Sequence, residues 1–154
     1  MSDAPSLNHV AMSMDPRVLD EAGRADILSF YSEVFGWTEG DNTGEQGNPL
    51  ILVTGKLLEF IYLLPGDPET GEHMRTPKLD HFGLAVTSRD QLEAIVAKAK
   101  TYQQRDDRVQ IIDINTRPPQ GAAEHTLTNA YIGYLLPLMV ELQHVERVQR
   151  PSPS

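Results

Sequence analysis

Four residues carry the chemistry this chain could do: His9, Glu59, His81 and Glu141. The two histidines hold the same place in two similar runs, Leu7-Asn8-His9-Val10-Ala11-Met12 and Leu79-Asp80-His81-Phe82-Gly83-Leu84. A glutamate then appears in a later apolar run of each half, Leu57-Leu58-Glu59-Phe60-Ile61 and Leu138-Met139-Val140-Glu141-Leu142. A carboxylate inside an apolar strand is costly if it faces a core unpaired, and sensible if it faces a metal ion. Two imidazoles with two carboxylates make a nitrogen and oxygen donor set suited to Fe(II), Mn(II), Zn(II), Ni(II) or Co(II). Two histidines with one glutamate would make a facial triad that leaves positions open for substrate. Taken singly, a strand histidine is most often a satisfied core or edge residue and a strand glutamate a solvent-facing one. The matched recurrence of both is what favours a metal site. Glu59 depends on register, because a slip of one residue turns it outward.

The elements that must position these side chains follow from the hydrophobic period. Leu7 to Met14 reads as a strand, Asp15 to Gly23 as a polar connection, and Arg24 to Phe35 as an amphipathic helix closed by Gly36. Thr38 and Glu39 suit a short strand, and Asp41 to Asn48 a Gly- and Asn-rich loop. Pro49 to Thr54 and Leu57 to Leu64 read as strands joined by a tight Gly55-Lys56 hairpin. Pro65 to Glu72 is too polar and broken for regular structure. The order then repeats: a strand from Leu79 to Val86, and a helix from Arg89 to Gln104 with Ser88 as its cap. Strands follow at Val109 to Ile114, Thr126 to Tyr134 and Leu138 to Val145. The predicted organisation is α+β: a βαβββ module over residues 6–64, a linker over 65–77, a second module over 78–147 and a disordered tail over 148–154. The repeat step is about 72 residues, from His9 to His81, which means two domain-like units and not a solenoid. Each module leaves one sheet face bare, so the two are expected to pair.

Composition narrows the function classes. The 154 residues include no cysteine, which removes disulfides, thiolate metal sites and a cysteine nucleophile. The formal net charge is −9, from 22 acidic and 13 basic side chains, which opposes a nucleic-acid surface. The first residues lack a basic start with an apolar run behind it, and no apolar stretch reaches membrane-span length. A cytoplasmic protein with no membrane or nucleic-acid partner is expected. No glycine-rich phosphate loop is present, and Arg17, Arg24 and Arg75 are scattered.

The chain resembles the vicinal oxygen chelate superfamily, which includes glyoxalase I, methylmalonyl-CoA epimerase, extradiol dioxygenases and bleomycin-resistance proteins. The carriers are Leu7-Asn8-His9-Val10-Ala11, Phe30-Tyr31-Ser32-Glu33-Val34-Phe35-Gly36-Trp37, Leu79-Asp80-His81-Phe82-Gly83-Leu84-Ala85-Val86 and Val140-Glu141-Leu142. The resemblance spans roughly residues 6 to 147. It implies paired modules forming a half-barrel around a divalent metal, a small oxygen-chelating substrate and a homodimer. It places the family's ligands on His9, Glu59, His81 and Glu141. Glyoxalase-like members use all four positions, and extradiol dioxygenases use the equivalents of His9, His81 and Glu141. Isomerase or lyase chemistry and ring-cleaving oxygenation both stay open, as does metal-free ligand binding of the bleomycin-resistance type. Glu59 or Glu141 is the candidate proton-transfer base for the first. For the second, Tyr131 is either a hydrogen-bond donor beside the metal or an ordinary strand aromatic. His125 and His73 are the acid–base candidates, and strand alternation puts His144 on the face away from Glu141 and Gln143. One departure is Gly133-Tyr134-Leu135-Leu136-Pro137-Leu138, which lacks the acidic turn that many members carry before the last glutamate.

Overall fold

The computed structural model describes residues 5–56, 58–119 and 124–147. The tail expected to be disordered, 148–154, lies outside them. The chain forms two compact units, Met1–Thr76 with Leu135–Pro137, and Pro77–Tyr134 with Leu138–Ser154. The stretch read as a linker therefore belongs, up to Thr76, with the first unit.

The first unit contains β1 (His9–Met14), α1 (Glu21–Phe35), β2 (Thr38–Glu39), β3 (Leu50–Val53) and β4 (Phe60–Pro65). Its sheet has the order β1-β4-β3-β2, with β1 parallel to β4 and the other pairs antiparallel. Alternation along the strands sends Met12, Met14, Leu50, Leu52, Ile61 and Leu63 into the core, where Ile27, Phe30, Tyr31 and Val34 of α1 are also buried. Trp37 stacks on Tyr31 with ring centroids 5.0 Å apart. Gly36 ends the helix at φ 75°, a left-handed cap that residues with a Cβ rarely adopt.

Two boundaries of the first unit differ from the sequence reading by three residues. The helix α1 begins at Glu21 and not at Arg24, because Asp20 caps it by accepting from the Gly23 N–H at 2.8 Å. Gly23 looked like a breaker, yet it is needed inside the first turn: a Cβ there would stand 1.9 Å from the Val18 carbonyl oxygen. The strand β4 begins at Phe60 because the turn before it is longer than two residues. The Glu59 N–H donates to the Lys56 carbonyl, the Thr54 N–H donates to the Glu59 carbonyl, and Leu58 turns through φ 66°.

The second unit contains β5 (His81–Ala85), α2 (Arg89–Gln103), β6 (Gln110–Arg117), β7 (His125–Gly133) and β8 (Met139–Arg147). Its sheet repeats the pattern, β5-β8-β7-β6, with β5 parallel to β8. The Ser88 hydroxyl accepts from the Gln91 N–H to start α2, which packs across β6, β7 and β8. Leu92, Val96, Ala99 and Tyr102 of the helix are buried, as are Ala130, Ile132, Val140 and Leu142 of the sheet. The strand β6 runs on to Arg117, three residues past the expected end, after a register shift between Ile112 and Asn115. The last strand likewise runs to Arg147. Among the described residues, no helix is long and apolar enough to cross a membrane.

Candidate functional site

The polar chemistry of the second unit gathers where β5, β8 and β7 lie side by side. Register sets this up: Gly83 of β5 lies opposite Glu141 of β8, which lies opposite Tyr131 of β7. Asn129 and Gln143 form the next pair along the same face, since alternate strand residues share a side. The result is a glutamate only 5 % exposed in a strand whose neighbours Val140 and Leu142 are core.

Four groups surround that carboxylate. Asn129 Nδ2 donates to Oε1 at 2.6 Å, and Gln143 Nε2 donates to Oε2 at 2.7 Å. The Tyr131 hydroxyl, on the residue paired with Glu141 across β7 and β8, accepts from Asn129 Nδ2 at 3.2 Å. His81 Nε2 lies 3.3 Å from Oε2. Burial pushes the Glu141 carboxyl up, but the bonds from Asn129, Tyr131 and Gln143, with the charge of His81, outweigh it and hold the group below the usual range. Burial and the bond to Glu141 push the Tyr131 hydroxyl up, so it stays protonated at neutral pH. The Tyr131 ring meets His81 edge-on, with centroids 5.0 Å apart at 82°.

The tautomer of His81 follows from its other nitrogen. Nδ1 lies 2.7 Å from the Leu79 carbonyl oxygen, which only accepts, so Nδ1 carries a hydrogen. In the neutral ring Nε2 is then the nitrogen with the lone pair, and it is the one beside Glu141. Metal-binding histidines are commonly oriented in this way. Bonds of about 2.1 Å to one ion put two ligands roughly 3.0 to 3.4 Å apart, depending on geometry, and the observed 3.3 Å fits. Gly83 lies against this spot, where a Cβ would make an ordinary contact with Glu141 Oε2 at 3.6 Å. His81 and Glu141 thus fit as two donors of a metal site. Among the described residues, no group of three or more His, Asp or Glu is gathered to hold an ion.

In the first unit, His9 opens β1 as the counterpart of His81. Its Nδ1 meets Asn8 Oδ1 at 2.7 Å, and its ring stacks on Phe60 at 4.9 Å and 5°. Its partner in the parallel register is Phe60, and Ala11 faces Tyr62. Setting His9 on His81 therefore sets Tyr62, and not Glu59, on Glu141. Tyr62 donates to Glu45 Oε2 at 2.8 Å, and this bond raises its pKa above the usual value. Glu59 sits in the turn before β4, 41 % exposed, with its carboxylate 3.6 Å from Lys56 Nζ.

Other candidates fall elsewhere. His125 opens β7 and pairs with Arg147, six residues along the strand from Tyr131, which is about 20 Å. The structure does not bring His125 to Glu141. His73 donates from Nδ1 to the Gly71 carbonyl in the first unit. His144 falls on the opposite face of β8 from Glu141 by strand parity, its buried Nδ1 lacking a hydrogen bond and 3.8 Å from Glu146. Asn129 was missed from sequence. Its signal was the alternation Asn129-Ala130-Tyr131, which puts a buried amide on the face of a candidate residue.

No model of a known protein family matches the sequence, and no curated protein matches it. Solved structures do. Lactoylglutathione lyase from Agrobacterium tumefaciens superposes with a TM-score of 0.57 at 11% identity, over 92% of this chain and 95% of that one. The fosfomycin resistance protein FosX from Listeria monocytogenes gives 0.57 at 14% identity, over 91% and 93%. A virulence protein from Salmonella typhimurium gives 0.56 at 14% identity, over 92% and 98%. The chain has the vicinal oxygen chelate fold. The resemblance read from the repeated histidine strands thus holds at the level of fold, in an α+β chain of two four-stranded mixed sheets with two helices. Within this fold the first and last strands of each module lie side by side and parallel, which is why His81 and Glu141 meet although far apart in sequence.

Proposed function

We propose that this chain is a divalent-metal-dependent enzyme acting on a small substrate with neighbouring oxygen atoms. His81 and Glu141 of the second unit are the proposed ligands. The observation that carries the reading is the His81–Glu141 pair: an imidazole with Nδ1–H fixed on a backbone carbonyl, its Nε2 set 3.3 Å from a buried carboxylate held in its ionised form. When bound, the metal supplies Lewis-acid polarisation of substrate oxygens. The protein's residues do the rest. Glu141 is held as an anion by Asn129, Gln143 and Tyr131, which suits it to a ligand more than to a proton acceptor. Tyr131 keeps its proton beside that carboxylate and can orient a substrate oxygen next to His81. A lyase or isomerase and a ring-cleaving dioxygenase are both compatible with these roles, because one fold hosts many reactions. The resemblance adds a cytoplasmic homodimer to the proposal, which light scattering on the purified protein tests.

A second reading is a metal-free binding protein of the bleomycin-resistance type. One observation favours it: His9 is stacked flat on Phe60, and Phe60 meets Tyr62 edge-on with centroids 6.3 Å apart, an aromatic surface on the first sheet. Anaerobic reconstitution with Fe, Mn, Ni or Zn followed by elemental analysis separates the two. About one ion per chain, lost in the His81→Ala variant, is the expected result. Protein that takes up none of these ions overturns the enzyme reading.

A further inference from the structure

Asn129 is among the most buried polar residues described, 2 % exposed, and its amide is spent on two groups of the site. An ionised carboxylate only accepts, so the atom 2.6 Å from Glu141 Oε1 must be the nitrogen, which fixes the orientation of the amide. The same nitrogen reaches the Tyr131 hydroxyl at 3.2 Å. One buried amide therefore ties the carboxylate and the phenol together. Gln143 completes the hold from the other oxygen, but Gln143 is half-buried and its amide has water as a substitute partner.

From this geometry we infer that Asn129 is the positioning residue of the site. It pins Glu141 Oε1 so that Oε2 stands beside His81 Nε2, and it fixes the Tyr131 hydroxyl through the same nitrogen. The pair is thus preformed for a divalent cation. This inference rests on the metal reading above for its ligand, and on the two hydrogen bonds of the Asn129 amide for its geometry. Groups that orient ligands in this way typically affect metal affinity by about 10- to 100-fold.

The test titrates Zn(II) alone into metal-free protein. Asn129→Leu keeps the volume and removes the amide, and its Kd is expected to weaken about 10- to 100-fold. The control is Thr128→Val, which breaks the part-buried bond between Thr128 and Thr116 hydroxyls on the other face of β7. That variant also loses a hydrogen bond of a buried β7 side chain, but its Kd should stay within about twofold, because a merely structural loss does not reach the carboxylate. An Asn129→Leu protein that is folded and binds within about twofold of wild type overturns the inference while leaving the metal reading standing. Side-chain amide NMR of metal-free protein gives an answer that needs no metal. The Asn129 amide protons should exchange slowly and lose that protection in Glu141→Leu. Amide protons exchanging as freely as those of an exposed asparagine overturn the positioning role. Wild type that binds no Zn(II) counts against the metal reading only, and the amide protons then decide the inference.

Discussion

Replacing Glu141 tests whether the buried carboxylate is held as an anion or merely tolerated. Two amides donate to it, from Asn129 and Gln143, and His81 lies beside it. Glu141→Leu removes the acceptor. Gln143 and Tyr131 are half-buried and can turn to water, so the full desolvation cost falls on Asn129, which is 2 % exposed. An unsatisfied buried donor costs about 1–3 kcal/mol. Glu141→Gln keeps an oxygen for Asn129 and loses only the charge-assisted part, about 1 kcal/mol. For a chain of this size each kcal/mol moves Tm by about 2–4 °C. Glu141→Leu should therefore fall several degrees further than Glu141→Gln. The pH dependence gives a second handle. The folded value of Glu141 lies below its unfolded value, so its contribution is present above the ordinary glutamate range and is lost as pH falls through the folded value. The gap between wild type and Glu141→Gln should be widest near neutrality and shrink at pH 3. Calorimetry or far-UV circular dichroism is the right readout, because Trp37, the one tryptophan, lies in the first unit. A Glu141→Gln protein as stable as wild type at pH 7, with no change in the gap down to pH 3, would refute the reasoning.

Three further outcomes are expected. Gly23→Ala should destabilise by about 1–3 kcal/mol in urea unfolding, because the clash of the new Cβ with the Val18 carbonyl exceeds the roughly 1 kcal/mol gained in helix propensity; a more stable variant would show that the turn relaxes freely. The Arg108 guanidinium and the Tyr134 hydroxyl hold Asp106 well below the usual carboxylate range, so its contribution exists above about pH 4 and fades below it. Asp106→Asn should lower the urea midpoint at pH 7 and lower it less at pH 3. Glu59→Gln should leave metal uptake within about twofold of wild type, as the carboxylate lies in a turn beside Lys56; a loss of tenfold or more would make Glu59 a ligand.

The repeat was readable because it is local. Two short runs with a histidine in the same place, each followed by a helix with apolar residues at helical spacing, need no knowledge of distant contacts. Glu141 was readable for the same reason, as a charge between Val140 and Leu142. The counterpart in the first half was not. The two-residue hairpin read at Gly55-Lys56 hides a longer turn that uses Leu58 at positive φ, so Glu59 falls short of β4 and Tyr62 takes the position opposite Ala11. Asn129 was hidden because its role depends on which residue of β8 lies next to β7, a pairing no single segment encodes. The start of α1 was missed because Gly23 reads as a break, while its close approach to Val18 is visible only in three dimensions.

The parallel pairing of β5 with β8 also bears on the order of assembly. Strands β6, β7 and β8 form an antiparallel meander whose neighbours follow one another in sequence. Such hairpins close quickly, whereas β5 must find β8 across the helix and two intervening strands, a closure with a larger entropic cost. His81 rides on the late-arriving strand and Glu141 on the meander. The pair is thus expected to form at the last step of building its own sheet and to be lost first when that sheet opens. A ligand that needs both side chains would lengthen the lifetime of the folded unit and leave its rate of formation untouched. Stopped-flow traces with and without Zn(II) would show this as a change in the unfolding arm alone.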